Sequence, residues 1–507
     1  MSKNWTILLA IVFWIPALTL NYFAISAYPG EKFVYIIFSL TLHFFLLSGF
    51  CCKPLFFEKF LSIFCWMGFW FKLSLQLAGL QVNTHHPLWN IVNTQYLAKS
   101  ILISQKNINH LDSALILATL CFGSLITASL VRRWFYKNEY RLFSGQHLWL
   151  SKIHQSNRAV FIAILMGAIL CVCGFNYYLG LYSLGEYGTS NNIEVIARLV
   201  FKWLILFGLA SFVSVFIHLE SAYFKKTTII CVLLALFVTL APSASANSRV
   251  GFLTLVTLFL GWLATRPPES KPINIAKLSL VIITTAGLSL ASVAVVNFIR
   301  HETFSEAAKI PLQGTSNELD AKSVGQIRTT PSLNSLAHRL EVASIPVVRS
   351  TLALFGERWI GITELIDVVK SETGESGFYT RSWNQKWGSK EFTAYEQTIG
   401  KSMATKASRS RFDFMTSPGM IAYLAFSQSI LLMCLGCIVF FFASALFEVL
   451  FLKYSGGLVI TSALFSQILA YRFVHFGTYP SQTYLLIIAI VVNAAIICFL
   501  VKRKTRS

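Results

Sequence analysis

The chain has 507 residues, is 55% apolar, and carries 42 lysines and arginines against 22 acids, a formal net charge of +20. A mean hydropathy of +0.62 excludes an ordinary soluble domain. The positive charge is scattered through short loops, which speaks for topology and attraction to membrane lipids and against a nucleic-acid partner.

Runs of roughly twenty apolar residues, enough to cross a bilayer, recur about twelve times. In chain order they fall near 5–26, 33–51, 60–79, 112–131, 159–183, 196–218, 227–244, 249–265, 278–299, 418–445, 456–475 and 481–501. The expectation is an all-α polytopic membrane protein, because helices satisfy their own backbone in lipid. Lys3, Lys53, Lys59, Arg132, Arg133, Lys137, Lys225, Lys226, Arg266, Lys453 and the tail "VKRKTRS" all fall on one side if the count is twelve. That side is the cytoplasmic one, and it holds both termini. The first run is read as an anchor, since cleaving it as a signal peptide would spoil this parity. Cys434 and Cys437 form a C-x-x-C inside an apolar run and read as small buried hydrophobes. No histidine or cysteine set has metal-ligand spacing, so no metal site is expected.

The chain divides into residues 1–299 with nine spans, one long outward loop at 300–417, and residues 418–507 with three spans and a basic tail. The seventh and eighth spans meet at "APSASANSRVGFL", where Arg249 sits among small residues. It has two readings. One is a snorkelling span-end arginine. The other is an anion clamp at a helix N-terminus, where free N–H groups also favour negative charge.

In the long loop, "SLNSLAHRLEVASIPVVRSTLALFG" carries a helical apolar stripe, kinked at Pro346. At about 100° per residue, His338 and Arg349 fall opposite the stripe, with Arg339 and Glu341 on its flanks. They line a cavity, or they are the wet side of an interfacial helix. Further on, Trp383 and Trp387 flank amides and suit the apolar faces of sugar rings, whereas Trp359 suits headgroup-level anchoring. "KASRSRFDFMTSPG" brings Arg409, Arg411 and Asp413 to the mouth of the tenth span.

Arg249, Arg300, Arg339, Arg349, Arg358, Arg409 and Arg411 thus gather at the outer end. Guanidinium groups hold phosphate bidentately in partly dry sites. The pattern suits a polyisoprenyl diphosphate whose tail stays in the bilayer. Glycosyl transfer would follow, with positive charge stabilising the departing diphosphate. His338, Glu341 and Asp413 are the candidate bases for the attacking hydroxyl.

"ANSRVGFLTL", "AHRLEVASIPVVRSTLALFGERWIG" and "TSPGMIAYLAF", set in this plan of spans and one late outer loop, resemble the bacterial O-antigen and capsule repeat-unit polymerases and the related O-antigen ligases. The resemblance implies a C-type glycosyltransferase fold in the bacterial inner membrane. It implies undecaprenyl-diphosphate-linked oligosaccharide as substrate and a chain-length co-polymerase as possible partner. It also implies arginine contacts to diphosphate at Arg249 and at Arg339 or Arg349, a functional histidine at His338, and no metal, nucleotide-sugar or other cofactor. A ligase acting on lipid A core and a twelve-span flippase or transporter remain alternatives. A transporter would favour repeated halves, and no repeat is visible.

Overall fold

Apolar stretches too long for any strand close their hydrogen bonds locally. In a computed structural model of the chain every regular element among the described residues is helical. The structure describes residues 3–51, 54–81, 105–135, 154, 156–179, 181–182, 192–223, 228–246, 251–265, 287, 359–371, 377–385, 393–399, 417–477, 480 and 483–502. The first half contains α1 (Lys3–Ala27), α2 (Lys32–Ser48), α3 (Phe56–Cys65), α4 (Lys72–Gln81), α5 (Gln105–Phe135), α6 (Arg158–Leu179), α7 (Asn192–Trp203), α8 (Leu209–Tyr223), α9 (Thr228–Ser245) and α10 (Gly251–Ala264). Three short helices follow, α11 (Ile362–Ser371), α12 (Phe378–Asn384) and α13 (Ala394–Ile399). The chain closes with α14 (Met420–Ala425), α15 (Ile430–Tyr454), α16 (Val459–Val474) and α17 (Thr483–Lys502).

Among the described residues, six helical stretches are long and apolar enough to cross a bilayer: Phe56–Ala78, Ile108–Phe135, Arg158–Leu179, Ala197–Ser221, Ile430–Tyr454 and Thr483–Val501. Lys32–Ser48, Ile229–Ser245, Leu253–Ala264 and Val459–Val474 are apolar but shorter. The expected span at 278–299 lies outside the described residues apart from residue 287.

Two of the long stretches contain a π-helical turn, Trp66–Phe71 between α3 and α4 and Leu204–Gly208 between α7 and α8. Such turns insert one residue into the helical ladder and often mark functional places.

The shortness of α16 follows from its position. It packs against α3, α8, α10 and α15, and nearly every residue from Val459 to Val474 is buried. A helix wrapped by protein need not match the bilayer thickness. It also joins two apolar clusters: Ile460 and Leu464 belong to one with α6, α8, α9 and α10, while Ala463 and Phe465 belong to the larger one around α1–α5 and α11–α17. Cys437 is buried, as expected from the sequence, and Cys434 is partly so.

Buried carboxylates fasten one end of the bundle, here called the basic end. Glu58 closes a capping box on Leu55 N–H at 3.0 Å. It also accepts from Ser129 at 3.1 Å and from Arg132 Nε at 3.0 Å, and Arg132 Nη2 reaches its second oxygen. Glu448 of α15 accepts from the N–H groups of Phe56 and Phe57 at 2.9 and 2.8 Å, and from Ser466 at 2.8 Å. The first turn of α3 exposes backbone donors that need such an acceptor inside an apolar body. Glu220 receives Arg158 through two bonds at 2.8 and 2.9 Å and His154 at 2.9 Å.

Candidate functional site

At the opposite end, residues from within the long loop return into the helix bundle. The contact begins at the π turn "WMGFWF". A Cβ on Gly68 would lie 2.2 Å from the carbonyl oxygen of Ile360, and one on Gly361 would lie 2.5 Å from that of Gly68. Two backbones touch here because both residues lack side chains. Trp359, expected at headgroup level, stacks on Phe64 of α3 with ring centroids 5.9 Å apart.

The start of α11 is held by a capping pattern and by a buried cation. Glu364 Oε2 accepts from Gly361 N–H at 2.8 Å and from the Thr363 hydroxyl at 2.9 Å. Lys72 Nζ donates to the Trp359 carbonyl at 2.9 Å and to Thr363 Oγ1 at 2.8 Å, and lies 3.7 Å from Glu364 Oε1. Its side chain is 7% exposed. A lysine so placed costs free energy unless its donors are satisfied. Its partners all belong to the returning segment.

A second return is made by residues 417–426. Gly419 has φ +77°, and a Cβ there would meet the Val474 carbonyl oxygen at 2.8 Å. Gly419 N–H and the Ser417 hydroxyl both donate to the Phe476 carbonyl, at 2.9 and 2.8 Å. Ile360, Gly361, Pro418, Gly419 and Val474 thereby enclose a small void against Cys65 and Phe69. α12 lies over this return. Phe378 stacks on Phe426 at 3.8 Å, and the Tyr379 hydroxyl donates to the Leu424 carbonyl at 3.1 Å. Burial pushes the Tyr379 phenol above its ordinary pKa, so it remains a donor at neutral pH.

Beside this junction stands Arg472, in the last turn of α16. Nη2 donates to Thr483 Oγ1 at 2.9 Å, Nη1 donates to the His475 carbonyl at 3.3 Å, and the guanidinium lies 5.7 Å from the Phe476 ring centre. Its Nε is buried and has no partner among the described residues. No described carboxylate pairs with it. A guanidinium kept in an apolar body without a counter-ion is an anion receptor in waiting. His475 stacks on Tyr471 at 3.9 Å alongside.

Among the residues singled out from sequence, Trp383 is described: it sits in α12, 48% exposed, and its side chain interacts with Tyr423. Arg249, Arg300, His338, Arg339, Glu341, Arg349, Arg358, Trp387, Arg409, Arg411 and Asp413 lie outside the described residues. Arg358 immediately precedes Trp359 in the sequence. The sequence reading passed over Lys72, Glu364 and Arg472. The signal for the first and last was a lone cation inside an apolar run. For Glu364 it was the "GITE" spacing of a helix cap.

Apolar helices of membrane length, buried charges satisfied by neighbouring helices, and a loop returning into the bundle define a helical membrane protein. No family model, curated protein or solved structure matches the chain.

Proposed function

We propose that the protein is a membrane glycosyltransferase of the C type, with twelve spans and both termini cytoplasmic, that polymerises lipid-linked oligosaccharide repeat units at the periplasmic face of a bacterial inner membrane. The observation that carries this reading is Arg472, a guanidinium with a buried unpaired Nε and no described counter-ion, placed where the long loop returns to the bundle. A diphosphate on a polyisoprenyl tail matches that position, because its anchor lies in lipid while its charge reaches the rim.

The acceptor is the terminal sugar of one undecaprenyl-diphosphate repeat unit, and the donor is the chain carried by another. The acceptor hydroxyl oxygen bonds to the anomeric carbon of the donor. The bond from that carbon to the diphosphate oxygen breaks, and the electron pair leaves with the diphosphate. The hydroxyl proton passes to a base, for which His338, Glu341 and Asp413 are the candidates. Arg472, with Arg249, Arg300, Arg339, Arg349, Arg358 and Arg411, takes up the charge developing on the leaving group. Trp383 and Trp387 offer faces to the glycan. A chain-length co-polymerase is the expected protein partner.

Purified protein in lipid nanodiscs, given lipid-linked repeat units, is expected to yield a ladder of longer glycans. Transfer to lipid A core alone would make it a ligase. Passage of lipid-linked units across the bilayer without any new glycosidic bond would make it a transporter.

A further inference from the structure

We propose that the face between α2 and α5 holds an anionic glycerophospholipid, with one acyl chain in a groove and the phosphate on Arg133. The groove has a volume of about 580 Å³ and is lined by Phe44, Leu47 and Ser48 on one side and Gly123 and Ile126 on the other. That is the size of a small-molecule cleft. Its floor is Gly123, where an added Cβ would meet nothing within 4 Å. Phe44 is 62% exposed and Leu47 40%, so the groove opens sideways, toward lipid.

One end of the groove carries charge. Arg133 donates to the backbone carbonyl of Ser48, a residue that lines it. This bond fixes the guanidinium at the end of the apolar trough. The Arg133 Nε is buried without a partner among the described residues. No described carboxylate pairs with Arg133, whereas Arg132 beside it is committed to Glu58. Trp134 and Phe135 follow, 79% and 77% exposed, the kind of residues that lie at headgroup depth. An apolar trough that ends on an unneutralised guanidinium beside interfacial aromatics has the layout of a phospholipid: chain, glycerol, phosphate. Basic sites between spans on the positive side recognise anionic headgroups in this way. A phosphodiester accepts from the remaining guanidinium donors, and a zwitterionic headgroup cancels part of that attraction with its own cation. The site stands on the membrane character of the chain and is independent of the glycosyl-transfer reading.

The test uses the full-length protein in detergent, stripped of lipid and titrated with phosphatidylglycerol or phosphatidylcholine of identical chains, read by native mass spectrometry. Wild type is expected to hold one phosphatidylglycerol about tenfold more tightly than phosphatidylcholine, about 1.4 kcal/mol. Arg133→Gln should bring the two lipids level, and Arg133→Lys should keep part of the preference. Gly123→Leu fills the trough without touching charge and should weaken both lipids by a similar factor, about tenfold. Equal binding of the two lipids by wild type overturns the proposal. So does an unchanged preference in Arg133→Gln, or unchanged binding in Gly123→Leu. Should Arg133→Gln fail to fold, the wild-type comparison and Gly123→Leu still decide the matter.

Discussion

At the basic end of the bundle, Glu58 takes both arms of Arg132, and Glu220 takes Nε and Nη2 of Arg158 at 2.8 and 2.9 Å. At the opposite end, Arg472 spends its donors on a threonine hydroxyl and a carbonyl, and keeps a buried Nε idle. Arg132 and Arg158, with side chains 5% and 31% exposed, offset their desolvation with a carboxylate inside the fold, whereas no described carboxylate does so for Arg472. The paired ones tie helices far apart in sequence, 74 residues in the case of Arg132 and Glu58. Arg472 ties little, since Thr483 is 11 residues away. A charge kept without a fastening task is available for a ligand.

The largest expected effect breaks the fastened end. Glu58→Ala strands Arg132 in a site where its side chain is 5% exposed. Breaking a buried pair costs about 3–5 kcal/mol, so the variant should lose most of its monodisperse protein in detergent. Wild-type yield and melting temperature in Glu58→Ala would mean that the pair fastens nothing. Arg472→Ala should do the reverse. Chain extension should fall by roughly a hundredfold, the scale of one lost oxyanion donor, while the melting temperature barely moves. If Arg472→Ala keeps full activity in the nanodisc assay, or loses its fold as Glu58→Ala does, the contrast between the two ends disappears.

A middle-sized effect is expected at the seam between loop and bundle. Gly361→Ala inserts a methyl group 2.5 Å from the Gly68 carbonyl oxygen. Overpacking of this kind costs about 1–3 kcal/mol. The seam should open locally, read as faster protease cleavage within 300–417 with the rest of the bundle unaffected. Lys72→Met should have a similar but weaker consequence, because Glu364 keeps its bonds to Gly361 and Thr363. Cleavage rates unchanged in both variants would show that the segment is held elsewhere.

The apolar runs made much of this architecture readable in advance. The run at 227–244 is the helix Thr228–Ser245, and the run at 456–475 contains Val459–Val474. Local hydrophobicity is enough for such elements. The π turns were not readable, since a single inserted residue leaves the apolar content of "WMGFWF" or "LILFG" unchanged. Nor was the partner of any buried charge: Glu448 reaches Phe56 across 392 positions, a match that only the packed fold creates. Arg472 was visible as a lone cation within the apolar run 456–475, but the sequence does not show what surrounds its guanidinium. Its idle Nε is a property of the neighbours. The exposure of Trp383, 48%, was legible from its polar setting next to Ser382, Asn384 and Gln385.

The smallest effect concerns the basic end again, through pH. His154 is fully buried beside Glu220 and Phe216. Burial holds its imidazole below the ordinary value, against the opposing pull of Glu220, whose charge is already shared with Arg158. In the unfolded chain the ring takes a proton near pH 6.5; in the folded protein it does so only at lower pH. Folding therefore releases a proton in that window, and stability falls as pH drops from about 6.5 toward the folded value, by at most about 1.4 kcal/mol per pH unit. His154→Gln should remove this slope while leaving the Arg158–Glu220 pair in place. Melting temperatures of wild type and His154→Gln between pH 7.5 and 5.5 measure it. A wild type that gains stability relative to His154→Gln on acidification would mean that the ring is charged against Glu220. The basic end would then hold two cations on one carboxylate, and its contrast with Arg472 would be sharper still.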